Sequence, residues 1–375
     1  MDFCLAEVIP FFDFKGEFIK EEKIKNGNIN DTFLLSFQEE NQQDRFILQR
    51  INRNVFRKPE KLMTNIVTIL DHLRQKVISS GGDPDREVLS LINTKEGNYI
   101  HKSEQGHIWR AYKYIKGTRT YDLVEDPRHF YNAGKAFGRF QKLLRDFPAR
   151  ELYEIIPDFH NTPKRYRTFL KAVEDDPVNR VKEVREEIKF LNNRKDQLSV
   201  INDRLETGDL PLRVTHNDTK FNNVLIDDRT GEGICVIDLD TVMPGSALYD
   251  FGDAIRSGAS TAAEDEPDLA KINLDLELFG HFTRGFLEYI GDFLVIPEIK
   301  YLAFSTILIT LELGMRFLTD YLNGDVYFKT DYSQHNLVRT RAQFKLATDM
   351  EEKYSDMQKI IKKAIPDTLR GKQIN

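Results

Sequence analysis

The stretch that decides the reading runs from Val214 to Ile255: VTHNDTKFNNVLIDDRTGEGICVIDLDTVMPGSALYDFGDAI. Val224-Leu225-Ile226 and Ile234-Cys235-Val236-Ile237 are short apolar runs, and Asp227-Asp228-Arg229-Thr230-Gly231 between them has turn chemistry. Two short strands joined by a turn are therefore expected. Asp218 and Asn223 precede this hairpin and Asp238 ends it. An acid, an amide five residues on and a second acid directly after a strand is the layout of a phosphoryl-transfer site. One Asp accepts the proton of an attacking hydroxyl. The Asn and the second Asp offer oxygen ligands to magnesium, a hard cation that favours them. Taken alone, Asp218 would be a turn residue satisfying nearby N–H groups; the joint spacing favours the chemical role.

The spacing H-x-D-x-x-x-x-N from His216 to Asn223 resembles the catalytic loop of the protein-kinase-like fold in its small-molecule branch. With Asn217, the IDLDTV run at 237–242 and the YDFGDAIR run at 249–256, the likeness narrows to the N-acetylhexosamine 1-kinases of the aminoglycoside phosphotransferase superfamily. That resemblance implies an α+β, bilobal protein-kinase-like fold. A small, mostly antiparallel β-sheet lobe at 1–115 would bind nucleotide. A larger, mainly helical lobe at 116–375 would carry catalysis and substrate binding. It also implies ATP and Mg2+ as cofactors and an N-acetylhexosamine acceptor phosphorylated at its anomeric hydroxyl. Asp218 is the expected base, Asn223 and Asp238 the metal ligands, and Asp218 and Asp238 also neighbours of the sugar. Asp240 is a lesser candidate for the metal or pocket. Lys220 either steadies the departing phosphoryl charge or is a surface residue.

The residues on either side fit this frame. Phe18 to Lys25, Phe33 to Phe37 and Phe46 to Ile51 have strand character, separated by the Gly27–Thr32 loop and a polar turn. Gly27, Asn28, Asn30 and Thr32 are candidates to lie over nucleotide phosphates, because small residues let backbone N–H groups approach oxygens; a plain hairpin turn is the alternative. On the third strand, Arg50 and Gln49 are the candidates for the phosphate-pairing cation position, with Arg50 preferred. Pro59 to Ile78 has a helical period. Its inward position is nearer Asn65 than Glu60, so the Glu that pairs with the strand-three cation in protein kinases is missing or replaced. Ile108 to Ile115 is a further strand, and backbone groups near Tyr114 and Ile115 are expected at the adenine edge. Trp109 and Tyr112 are expected in the core.

From Pro127 onward helical periods dominate, with Val181 to Leu205 a charged helical stretch. His216 is expected to brace its loop, and Asp250 of the DFG triplet to brace that loop and cap a helix beginning near Phe251. The run from Glu312 to Phe328 again resembles the N-acetylhexosamine 1-kinases, and by that resemblance Arg316 and Tyr327 belong to the sugar pocket. The alternative for Arg316 is an i±4 pair with Glu312 or Asp320.

With 375 residues, 40% hydrophobic and 30% charged, the composition fits a globular enzyme of two domains or two lobes. A net charge of −6 gives no electrostatic footprint for nucleic acid. The sequence reads as having neither a basic n-region nor an apolar run near the ~20 residues of a bilayer span, so a cytoplasmic protein without membrane partners is expected. Cys4 and Cys235 are too few for a disulfide framework or a zinc site. The competing functions are a kinase of another small alcohol (another sugar, an aminoglycoside, choline or homoserine) and a catalytically dead nucleotide-binding scaffold.

Overall fold

The computed structural model describes residues 5–24, 29–40 and 42–365. The chain divides into two compact units. The first comprises the described residues up to Thr118, with Glu151–Pro157 and Ile237–Val242. The second comprises Arg119–Arg150, Asp158–Val236 and the described residues from Met243 on.

In the first unit a six-stranded sheet has the order β1 (Glu17–Ile24), β2 (Asp31–Glu39), β3 (Gln42–Ile51), β6 (Ile108–Lys113), β4 (Leu91–Ile92), with β5 (His101–Lys102) also paired to β6. All its pairings are antiparallel. The period-two alternation of the sequence sorts the faces. Phe33, Leu35, Phe37, Phe46, Leu48, Trp109 and Ala111 form one buried cluster with Leu5, Val8, Ile9 and Phe12, which lie in and beside two short 3-10 turns. Gln49, Arg110 and Tyr112 point the other way. β1 is an edge strand and its Lys and Glu residues are exposed, which discourages pairing with another chain.

Helix α1 (Pro59–Ser79) opens with Pro59 in its first turn and buries Leu62, Ile66, Ile69, Leu70, Leu73 and Val77. Its inward polar residue is Asn65, 1% exposed. The Asn65 amide donates to the carbonyls of Tyr153 at 2.8 Å and Val242 at 3.2 Å, and its oxygen accepts the Tyr153 N–H at 2.9 Å. One side chain thus binds both later segments into the first unit. After α2 (Pro84–Glu87), the chain leaves that unit at β7 (Thr118–Arg119).

The second unit is mainly helical. Its first helices are α3 (Pro127–Leu143), α4 (Thr162–Asp175), α5 (Arg185–Asn192) and α6 (Val200–Thr207). The 181–205 stretch is thus two short helices rather than one run; a 3-10 turn at Lys195–Gln197 interrupts it, with Arg194 paired to Glu351. Next come β8 (Arg213–Thr215), the hairpin β9 (Val224–Asp227) and β10 (Gly233–Val236), and β11 (Met243–Gly245), antiparallel to β8. The Asp227 carboxylate closes the hairpin turn by accepting the N–H groups of Arg229 and Thr230. Helices α7 (Ala247–Gly258), α8 (Leu276–Ile290), α9 (Ile296–Leu322), α10 (His335–Glu352) and α11 (Tyr354–Ala364) complete the unit.

Helix α9 corrects the expectation about apolar runs: Ile296–Leu322 is long and apolar enough to cross a membrane. Its charged residues are spread thinly, so no single run advertises it in the sequence. In the folded chain 78% of its apolar window is buried within the protein, which is the behaviour of a core helix. At its start buried Glu298 accepts two bonds from Arg213, 2.6 and 2.7 Å, fixing the strand that leads into the 216–223 loop.

Candidate functional site

The loop between β8 and β9 is held from beneath by a buried carboxylate. Asp250, 1% exposed, accepts the His216 N–H at 3.0 Å and the Asn217 N–H at 2.8 Å, and Gln141 donates to it as well. Burial pushes the Asp250 carboxyl up, against His216 and these bonds. Asp250 therefore braces the loop as expected, but it does not cap the helix. Ser246 is the N-cap of α7, and Asp250 lies within the first turn. Asn217 takes a left-handed conformation, φ 64°, which Asn tolerates better than most residues. His216 is fully buried with its ring edge-on to Phe137 and Phe140, and its Nδ1 accepts the Asp218 N–H at 3.3 Å. That is a bracing role.

Asp218 stands on this base, half-buried. The Asn223 amide donates to its backbone oxygen at 2.8 Å and to Oδ2 at 3.2 Å, and Lys220 Nζ lies 3.0 Å from Oδ1. Burial pushes the Asp218 carboxyl up, but Lys220, His216 and Arg256 outweigh it and hold it below the ordinary carboxylate range. Lys220 is raised in turn, chiefly by Asp218. Behind them Arg256, 4% exposed, binds Asp253 at 2.8 Å and Glu264 at 2.9 Å. The second unit thus brings Asp218, Asn223 and Lys220 together around an ionised carboxylate, the state a proton acceptor needs. With its nitrogen committed to Asp218, Asn223 has its amide oxygen to offer a hard cation.

In the first unit Thr32, Gln49, Arg110, Asp240 and Asn30 form a continuous polar chain. Gln49 donates to Thr32 Oγ1 at 3.1 Å and accepts from Arg110 at 2.9 and 3.1 Å. Arg110 Nη1 lies 2.6 Å from Asp240, and Asn30 donates to Asp240 at 2.7 Å. Burial lowers the Arg110 guanidinium, but Asp240, Tyr112 and Asp238 together outweigh it and the net shift is upward. Removing one partner from so buried a pair costs about 3–5 kcal/mol. Asp238 is exposed and left-handed, φ 59°, and its charge also reaches Arg110 and Tyr112.

Arg50, the preferred strand-three cation, projects to the opposite face of β3 from Gln49. It bonds Asp31 through Nε at 2.9 Å and also through Nη2, and approaches His107 at 3.4 Å. The buried cation on Gln49's side is Arg110, which the sequence reading passed over inside an apolar strand. Its signal lies in the register, Gln49 opposite Arg110, which a single sequence does not carry. Gly27 and Asn28 lie outside the described residues. At the other end of β6, the Tyr114 N–H donates to the Arg45 carbonyl at 3.1 Å and the Ile115 carbonyl accepts from Thr118 at 2.8 Å.

Arg316 and Tyr327 lie together in the second unit. The Arg316 guanidinium sits 5.9 Å from the Tyr327 ring centre and 5.5 Å from those of Phe328 and Phe159. Among the described residues neither i±4 carboxylate hydrogen-bonds it, although its charge helps to lower the Glu312 carboxyl. Asp320 accepts the N–H groups of Val326, Tyr327 and Phe328 at 2.8–3.0 Å, so it shapes the loop that carries Tyr327. Glu312 is bound by His160 at 2.9 Å and by Thr162.

Comparison with solved structures gives an aminoglycoside phosphotransferase from Alicyclobacillus acidocaldarius (12% identity, TM-score 0.60, covering 97% of each chain). A spectinomycin phosphotransferase in complex with ADP and its antibiotic matches at 13% identity and TM-score 0.56, covering 93% of this chain and 98% of that one. Choline kinase from Cryptosporidium parvum matches at 16% identity and TM-score 0.57, covering 93% of each. At such identities these likenesses establish the fold: it is protein-kinase-like, with an antiparallel sheet in the first part and helices in the second. The model of the phosphotransferase enzyme family matches residues 20–287. The chain belongs to that family and is a small-molecule phosphotransferase.

Proposed function

We propose that this enzyme transfers the γ-phosphoryl group of ATP to the anomeric hydroxyl of an N-acetylhexosamine, giving the sugar 1-phosphate. The observation that carries the reading is Asp218, kept ionised beside Lys220 and bonded by Asn223. Asp218 takes the proton as the sugar oxygen attacks phosphorus. The acceptor side is assigned to Arg316 and Tyr327, with Asp238 a second neighbour of the sugar. The resemblance of the 216–223, 237–242, 249–256 and 312–328 runs to the N-acetylhexosamine 1-kinases supports the choice of sugar.

Asn223 and Asp238 are the oxygen donors assigned to Mg2+. The donor set fits: it is all oxygen, and magnesium typically takes one or two protein ligands with the rest from phosphates and water. Among the described residues no cluster of three or more His, Cys, Asp or Glu offers an alternative cage. When bound, the ion draws charge off the β- and γ-phosphates. The nucleotide is assigned to Gly27, Asn28, Asn30, Thr32 and the backbone at Tyr114 and Ile115. Arg50, bonded to Asp31, keeps its assignment to the phosphates, and Arg110 enters as the buried cation that fixes Asp240.

The test is ADP release with ATP and Mg2+ across a panel of N-acetylglucosamine, N-acetylgalactosamine, their parent sugars, choline, ethanolamine, homoserine and aminoglycosides. Phosphorus NMR of the product follows. The reading predicts turnover with an N-acetylhexosamine and a phosphorus signal coupled to the anomeric proton. Turnover confined to an amine alcohol reassigns the acceptor, and ATP binding without acceptor-dependent ADP release would make the protein a scaffold.

A further inference from the structure

Beside Arg316 stands a second guanidinium with unspent donors. Arg165 lies in the first turn of α4, and its Nη2 donates to the Phe159 carbonyl at 3.2 Å. Phe159 is also the residue whose ring Arg316 faces at 5.5 Å. Arg165 Nε is buried and has no hydrogen-bond partner among the described residues. Burial lowers the Arg165 guanidinium and the charge of Arg316 lowers it further, which together outweigh the opposing charges of Glu312, Tyr327 and Asp158.

Among the described residues no carboxylate hydrogen-bonds either arginine, although the charges of Glu312 and Asp158 reach Arg165 and that of Glu312 reaches Arg316. Glu312 is occupied by His160 and Thr162. Asp158 is occupied by Lys164 and by Asn161. Asp320 is occupied by three backbone N–H groups and by Asn336. Two more buried atoms in this neighbourhood have no hydrogen-bond partner among the described residues: His160 Nε2 and the Tyr249 hydroxyl, whose rings lie 4.7 Å apart. Adjacent guanidiniums without a directly hydrogen-bonded anion are unfavourable, and guanidiniums match carboxylate and phosphate oxygens with paired N–H donors. The rings of Phe159, Tyr327 and Phe328 around Arg316 add apolar surface of the kind a sugar ring covers.

We infer that the acceptor is an N-acetylhexosamine bearing an anionic substituent, a carboxylate or a phosphate, and that Arg165 and Arg316 together receive that group. The inference rests on the proposed acceptor role of Arg316 and adds Arg165 as a specificity-determining residue.

The experiment compares kcat/KM for N-acetylglucosamine, its 6-phosphate and its 3-O-carboxyethyl ether, in the wild type and in the Arg165→Gln and Arg165→Lys variants, at low and high salt. At least one anionic sugar should exceed the neutral parent by about tenfold or more, mainly through KM, with an advantage that shrinks as salt screens it. Arg165→Gln should collapse the anionic-to-neutral ratio, and Arg165→Lys should retain much of it. A merely structural Arg165 would lower all three substrates alike and leave the ratio standing, which would overturn the assignment. If the neutral sugar is turned over and neither anionic sugar is favoured, the inference fails while the proposed function stands. If no sugar is turned over, both fail. Should Arg165→Gln not fold, the wild-type ranking of the three sugars decides.

Discussion

At the residue scale the proposed chemistry depends on the charge state of Asp218. Burial alone would raise its carboxyl, and Lys220 is the largest opposing influence. A group whose folded pKa is depressed is ionised above that value, so the base is lost only as pH falls through it. In the wild type, activity should therefore show no loss from this group between neutral pH and about pH 5, above the ordinary Asp range. Lys220→Met leaves burial less opposed, and the acid limb of kcat/KM should move to higher pH. An unmoved limb would mean that Lys220 does not set the charge of Asp218. The ion pair's contribution to stability has the same sign: present above the unfolded-state pKa, lost as pH falls through the folded one. These residues were legible from spacing, because Asp218 and Asn223 are five apart on one loop. Arg110 was not. Its partners Gln49 and Asp240 are distant in sequence, and its neighbours Trp109 and Ala111 read as an apolar strand.

At the element scale the second unit depends on a close helix crossing. A Cβ built on Gly138 of α3 would lie 2.5 Å from the Phe286 carbonyl of α8, and one on Gly134 would lie 2.5 Å from that of Phe282. Those contacts are with backbone, which cannot rotate away. Gly138→Ala gains helix propensity worth up to about 1 kcal/mol, but it must push two buried helices apart. A net destabilisation of about 1–3 kcal/mol is expected, as for overpacked cores. It is read as a lower urea midpoint at unchanged slope; an equal or higher midpoint would show that the helices yield. Local patterns made most elements legible: the Pro59 start of α1, the Asp227–Gly231 turn, and the helical periods after Pro127. They misjudged the ends where a side chain far away decides, as at Asp250, whose partners are His216, Asn217 and Gln141 rather than the end of its own helix.

At the scale of the whole molecule the chain assigns its candidate chemistry to both compact units, Asp218 and Asn223 in the second and Asp238 in the first. Sequence spacing proposed the grouping, but the membership of 151–157 and 237–242 in the first unit was not legible. It depends on contacts such as Asn65 with Tyr153 and Val242, which span 88 and 177 positions. The central claim is that this family member moves a phosphoryl group with Asp218 as its base. Its most direct measurement is acceptor-dependent ADP release by Asp218→Asn, alongside ADP binding by calorimetry to show that the fold is kept. The account predicts turnover lower by about 10²–10⁴-fold with ADP affinity preserved. Turnover equal to the wild type would contradict it.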